Sequence, residues 1–149
     1  LKAKGVRVRF IGDRVRLDAK LVKLMNMLEA ETAENTLTHL TIALNYGGRD
    51  EVARATQRLA QDVASGLLHP DDVDEETLPR YLDTHVLPDP DLVIRTSGEA
   101  RISNFLLWQS ASAEYEFIDT LWPDFTKAEF GHLCAAYGNR DRRFGAVSS

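Results

Sequence analysis

Three short apolar runs, separated by longer amphipathic stretches, restrict this chain to an α/β layer. Val6 to Ile11 alternates Val6, Val8 and Phe10 with Arg7 and Arg9, the period of a half-buried strand. Leu37 to Leu44 ends on the consecutive apolar positions Ile42, Ala43 and Leu44, the pattern of a strand covered on both faces. Leu92 to Ile94 is the third run, behind the loop Pro88-Asp89-Pro90. Between the runs, Asp18 to Ala33 and Arg49 to Ser65 repeat apolar residues at helical spacing. Asp18 is placed to cap the first of these helices and Gly66 to end the second. Thr77 to Thr84 reads as a short helix with Pro79 in its first turn. Glu116 to Ile118 reads as a short edge strand. A last helix opens at Thr126 with Phe130, Leu133, Cys134 and Tyr137 on its apolar face. Strands alternating with helices predict a mostly parallel sheet with helices on both faces. With no internal repeat or linker, residues 1–149 read as belonging to one domain.

Charge and composition narrow the function. A formal net charge of −5 argues against nucleic acid as a partner, because that affinity rests on basic surface. The single Cys134 excludes an intrachain disulfide framework and reads as a small core residue. No apolar run has the length of a bilayer span, and a cytoplasmic location is the expectation. Met25 and Met27 read as core filler. The acidic run Asp71, Asp72, Asp74, Glu75 and Glu76 follows Pro70 and precedes apolar positions. That is the composition of a helix N-terminus rather than of a metal site.

The chemistry concentrates between Asp91 and Glu114. After the third apolar run comes a polar loop, Arg95 to Asn104, and then the apolar segment Phe105 to Trp108, which reads as the start of a helix. Open α/β sheets place ligand sites beyond the carboxyl ends of their strands. Arg95 and Arg101 offer planar donor forks suited to phosphate oxygens. Ser103, at the expected helix N-cap, adds a hydroxyl and the free N–H groups of a first turn. Gly98 permits a tight backbone turn. A plainer reading stands beside this one: Arg95 pairs with Glu99, and Ser103 merely caps a helix.

The run Arg95-Thr96-Ser97-Gly98-Glu99-Ala100-Arg101-Ile102-Ser103-Asn104-Phe105-Leu106-Leu107-Trp108-Gln109 resembles the signature of the cis-prenyltransferases, in particular the bacterial undecaprenyl diphosphate synthases. Asn45-Tyr46-Gly47-Gly48-Arg49, Leu121-Trp122-Pro123-Asp124-Phe125 and the tail Arg143-Phe144-Gly145 resemble further motifs of the family. The resemblance runs from the first strand to Gly145. It implies a Mg²⁺-dependent transferase that condenses isopentenyl diphosphate onto an allylic diphosphate, usually farnesyl diphosphate, and works as a homodimer or heterodimer. For the bacterial members the product is undecaprenyl diphosphate, a lipid carrier, so a peripheral membrane contact is a further expectation.

Residue by residue, the resemblance makes Arg95, Arg101 and Ser103 the clamp for the diphosphate of isopentenyl diphosphate, with Ile102 beside them. It places Glu99 near that clamp to orient an arginine, and it makes Glu114 a metal-binding carboxylate. Arg143 and Gly145 would reach a partner subunit's diphosphate site. The family's Asp-Gly-Asn loop, whose aspartate serves the allylic diphosphate, is not in this sequence, and neither is its Phe-Ser and Glu-Asn motif. The expectation is therefore the C-terminal portion of one cis-prenyltransferase domain. It would hold no catalytic aspartate, would be inactive alone, and would have uncovered apolar faces prone to self-association. Two other readings are a non-catalytic subunit of a heterodimeric prenyltransferase and a simple diphosphate-binding module. The intact arginine-serine clamp disfavours the first.

Overall fold

The computed structural model describes residues 4–140. Arg143 and Gly145 lie outside the described residues. The chain divides between Leu87 and Pro88 into two compact units, each built on one parallel strand pair. The fold is α/β with parallel strands, as the alternation predicts, and each unit holds one hydrogen-bonded strand pair.

In the first unit, β1 (Val6–Ile11) runs parallel to β2 (Thr38–Ala43), with Val8 opposite Leu40 and Phe10 opposite Ile42. The crossover is α1 (Ala19–Glu31), capped by Asp18, whose Oδ1 accepts from the N–H of Lys20. The helix also covers the outer edge of β1. Val8 N–H donates to Thr32 Oγ1 at 2.9 Å, and Phe10 N–H to Glu29 Oε2 at 3.2 Å. Side chains thus satisfy donors that would otherwise invite another strand. Val8, Ile11, Met25, Ala55 and Leu82 form the buried apolar core.

The second helix, α2 (Gly48–Ala64), ends at Ser65, with Gly66 at φ +80°. The expected helix over 77–84 is only a 3₁₀ turn, Leu78–Tyr81. The acidic run is likewise a short 3₁₀ turn at Pro70–Asp72 followed by loop. There Asp74 Oδ1 accepts from the N–H groups of Glu76 and Thr77 and from the Thr77 hydroxyl, which holds its carboxyl below the usual range.

One polar network ties this unit together. Asp83 receives Arg54 as a two-pronged pair at 3.0 and 2.9 Å, and its Oδ2 also accepts from Gly12 N–H at 3.0 Å. Gly12, at φ +119°, ends β1; a Cβ there would lie 1.9 Å from the Leu44 carbonyl oxygen. The fully buried Glu51 accepts from the Tyr46 hydroxyl at 2.9 Å and from Asp83 N–H at 3.1 Å. The glycine pair Gly47-Gly48 opens α2 and so brings Tyr46 and Glu51 together.

β2 is more exposed than a strand covered on both faces. Leu40 is 40% exposed, and Leu24 and Met27 on α1 are 57% and 48% exposed. The apolar positions of β2 and α1 exceed what this unit covers. Met25 is core, as expected, but Met27 is not.

The second unit pairs β3 (Leu92–Arg95) with β4 (Glu114–Phe117), again parallel, with Leu92 opposite Glu114 and Arg95 opposite Phe117. It closes with α3 (Lys127–Gly138), whose Thr126 Oγ1 accepts from Glu129 N–H. Cys134 is exposed on α3, not part of a core. Among the described residues no helix is long and apolar enough to cross a membrane.

Burial by itself would raise the Asp83 carboxyl, but Arg54 and the Gly12 N–H outweigh it and hold the carboxyl below the usual range. A depressed folded-state pKa contributes stability above the unfolded value and loses it as pH falls through the folded one. Asp83→Asn is therefore expected to cost about 2 kcal/mol at neutral pH. The gap from wild type should shrink below about pH 4. Denaturant unfolding at both pH values checks this, and a pH-independent gap would contradict it.

Candidate functional site

The loop after β3 is fixed from both ends. Ile118 N–H donates to the Arg95 carbonyl at 2.9 Å, Gly98 N–H to the Ile118 carbonyl at 2.9 Å, and Ser97 N–H to the Thr120 carbonyl at 2.8 Å. Ser97, Gly98, Ser103, Asn104 and Leu106 all have positive φ, between +47° and +71°. Left-handed backbone at non-glycine residues is costly and clusters where function needs a particular shape.

That backbone overturns the helix expected from Phe105. Residues 101–113 run as successive turns, and Ser103 at φ +51° is not an N-cap. With Ser103, Asn104 and Leu106 left-handed, a regular helical ladder cannot start. A helix N-terminus therefore contributes nothing to anion binding here, and the arginines and the serine hydroxyl remain.

Those groups do converge. Arg95 Nη1 donates to the Arg101 carbonyl at 2.7 Å, and Arg101 Nε donates to Ser103 Oγ at 3.2 Å. Glu99 pairs with Arg101 at 3.0 Å, not with Arg95 as the plainer reading had it. Arg101 stays 68% exposed at its side chain, so the pair is screened and leaves donors for a ligand. Arg95, Arg101, Ile102 and Ser103 line one cavity of about 160 Å³. Its apolar wall comes from Val93, Ile94, Phe105, Tyr115 and Phe117, beside Ile102. Tyr115 and Phe117 stack with ring centroids 5.9 Å apart, and the Tyr115 hydroxyl donates to Ser110 Oγ at 2.6 Å. Sequence reasoning missed these two aromatics. Their alternation with Glu114 and Glu116 was the available signal.

Glu114 is not brought to this cavity. It lies opposite Leu92, three residues before Arg95 in register, or about 10 Å along the strand. Tyr115 and Phe117 turn to the cavity, so alternation sends Glu114 and Glu116 to the other face of the pair. There Arg140 bridges them, with Nη1 2.8 Å from Glu114 Oε2 and Nη2 on Glu116 Oε1. Among the described residues no group of three or more His, Cys, Asp or Glu side chains is gathered as for a metal. The oxygens that Glu114 and Glu116 would offer a hard cation are held by Arg140.

A family profile described as "Putative undecaprenyl diphosphate synthase" matches residues 1–145. The chain belongs to the cis-prenyltransferase family. It is 50% identical over 148 residues to an isoprenyl transferase of Agrobacterium fabrum, covering 99% of this chain and 60% of that protein. It is 52% identical over 147 residues to the trans,polycis-polyprenyl diphosphate synthase ((2Z,6E)-farnesyl diphosphate specific) of Thermobifida fusca, covering 99% of this chain and 52% of that protein. Lavandulyl diphosphate synthase from Lavandula x intermedia, solved with dimethylallyl diphosphate, superposes with a TM-score of 0.91 at 38% identity, covering 94% of this chain and 60% of that one. A probable undecaprenyl diphosphate synthase from Campylobacter jejuni gives 0.84 at 38% identity, covering 97% and 65%. This member of the family thus spans little more than half the length of the curated relatives it matches.

Gly98 tests whether the loop's shape makes the site. At φ +71°, an added Cβ would sit 3.3 Å from Asp119 Oδ1. Gly98→Ala is expected to cost about 1–2 kcal/mol of stability. It should also weaken inorganic diphosphate binding severalfold, as read by calorimetry. Unchanged affinity would mean that the loop conformation is not needed.

Proposed function

We propose that this chain carries the isopentenyl diphosphate clamp of a cis-prenyltransferase that builds long-chain polyprenyl diphosphates such as undecaprenyl diphosphate. The observation that carries this reading is the convergence of Arg95, Arg101 and Ser103 on a small cavity with an aromatic and aliphatic wall. Charged forks at the rim suit a diphosphate, and the apolar wall suits a short hydrocarbon tail. At about 160 Å³ the cavity is below the roughly 300–1,000 Å³ of drug-sized pockets, as fits a small ligand.

In the reaction, the isopentenyl double bond attacks the allylic carbon as diphosphate leaves the allylic partner, farnesyl diphosphate in this reading, and a proton leaves the isopentenyl C2 as the new double bond forms. Isopentenyl diphosphate keeps its own diphosphate. Its clamp must therefore position without activating, a task for rigidly held donors. The pinned loop provides that rigidity. Glu99 orients Arg101 by direct pairing. Mg²⁺, when bound, would neutralise diphosphate charge, with Glu114 and Glu116 as the carboxylates to hold it. We further propose that the enzyme is a homodimer in the cytoplasm, touching the membrane peripherally to release its lipid product. Arg143 and Gly145 would belong to the dimeric site.

A second reading, a diphosphate-binding module without turnover, is favoured by one observation: the carboxylates face away from the clamp. Both readings require the clamp. Arg101→Ala is expected to weaken isopentenyl diphosphate binding about tenfold or more, because it removes a charge-assisted contact of about 1.5–3 kcal/mol. Titration calorimetry measures it, and an unchanged dissociation constant would remove the basis of both. The described residues offer one such clamp for two diphosphate substrates, so the 149-residue chain is expected to bind without elongating. Metal-dependent elongation by it from farnesyl diphosphate would overturn that expectation.

A further inference from the structure

The strand register gives the cavity beside the clamp two levels. Phe117 stands opposite Arg95, and Tyr115 stands opposite Val93, two residues earlier on each strand. All four line the cavity. Two residues of parallel strand rise about 6.6 Å, so the Tyr115 level lies about that far from the cationic rim. A tail that extends from the rim along the strands meets the Tyr115 ring. That ring is held twice. Its hydroxyl donates to Ser110 Oγ at 2.6 Å, and Ser110, only 4% exposed, donates in turn to the Leu106 carbonyl at 2.7 Å. A serine has one hydrogen to give, so the tyrosine must be the donor, and a ring that swung out would leave a buried acceptor bare. The ring face stacks on Phe117 with an interplanar angle of 12°. At about 160 Å³ the cavity is comparable to an apolar cavity of roughly 150 Å³ that accommodates benzene, so it has room for about five or six carbons.

We propose that Tyr115, pinned by Ser110, is the length stop of this site: it admits an isopentenyl-sized tail on a diphosphate and rejects longer chains. The inference rests on the reading of the cavity as the isopentenyl diphosphate clamp. It adds how the site tells its short substrate from the long allylic diphosphate and the growing product. All of these carry the same headgroup, so Arg95, Arg101 and Ser103 cannot separate them. Only the space behind the headgroup differs between a right and a wrong occupant. A pinned aromatic ring turns that space into selectivity, because a longer tail must either displace the ring from Ser110 or leave its own end in water.

Calorimetric titration of the 149-residue chain with methyl, isopentenyl and n-octyl diphosphate tests this, because these ligands share a headgroup and differ only in the tail. Each methylene taken out of water is worth about fourfold in affinity. Wild type is expected to bind isopentenyl diphosphate at least about tenfold more tightly than methyl diphosphate, and n-octyl diphosphate no more tightly than isopentenyl diphosphate. Tyr115→Ala should leave methyl diphosphate binding unchanged and tighten n-octyl diphosphate about tenfold. Tyr115→Phe keeps the ring but loses the Ser110 contact, and its n-octyl affinity should fall between the two. If wild type gains affinity for n-octyl diphosphate in step with the added methylenes, there is no stop. If Tyr115→Ala binds methyl diphosphate normally and keeps the wild-type preference, Tyr115 is not the stop. If Tyr115→Phe selects as wild type does, the Ser110 pin plays no part and the proposal fails as stated. If wild type binds none of the ligands, the clamp reading fails and the stop with it. Should Tyr115→Ala not fold, as loss of methyl diphosphate binding would reveal, the wild-type series and Tyr115→Phe decide.

Discussion

Everything in the candidate site depends on the parallel register of β3 and β4. Pairing Leu92 with Glu114 fixes, by a period of two, which side chains share a face. Val93, Ile94, Arg95, Tyr115 and Phe117 line the cavity, while Glu114 and Glu116 do not. One short ladder thus separates a cationic clamp from an anionic pair. The two sets would partly neutralise each other on one face, and an arginine already paired with a carboxylate has fewer donors for a phosphate. With Glu114 and Glu116 off the cavity, the carboxylate paired with Arg101 is Glu99.

The first unit solves a different problem with similar means. Its strand ends converge on the fully buried Glu51 and the half-buried Asp83, and a buried polar group must find a partner in the protein. Glu51 and Asp83 serve as acceptors where β1, the β2–α2 turn and the Leu78–Tyr81 turn meet. Arg54 balances Asp83 from α2. Removing a partner of Glu51 would leave a fully buried carboxylate unmatched, which costs more than the bond itself contributed. This network also explains Gly12, whose N–H must reach Asp83 while the Leu44 carbonyl passes where a side chain would stand.

Local pattern was legible in the sequence, and long-range pairing was not. Among the described residues, periodicity located the four strands to within about two residues and the three long helices, because burial on one face imposes the period that sequence displays. The arginines and serine of the clamp were legible as residue types suited to an anion. The path between them was not. Phe105 to Trp108 has the composition of a helix start, and nothing in Leu106 announces a left-handed backbone, which tertiary contacts imposed. Cys134 sat in an apolar helical pattern yet is exposed, because a pattern shows which face is apolar but not whether anything covers it. The Asp83 network joins residues up to 71 positions apart, a distance over which single-sequence patterns carry no information.

The turns at residues 101–113 follow from how the loop is held. A helix starting at Ser103 would have offered free N–H groups to a phosphate, but its direction would be set by packing along its whole length. A left-handed backbone at Ser103, Asn104 and Leu106 instead folds the chain back so that Ser103 meets Arg101, and Ile102 and Phe105 join the cavity wall. Each such residue costs of order 1–3 kcal/mol. The structure holds them because Ser97 and Gly98 anchor the loop to the segment after β4, and because the Ser110 hydroxyl ties the turns to the Leu106 carbonyl while accepting from Tyr115 on β4. The strain is thus supported by the same strand pair that sorts the charges. Relaxing this loop would break the contacts that tie it to β4 and to the segment after it.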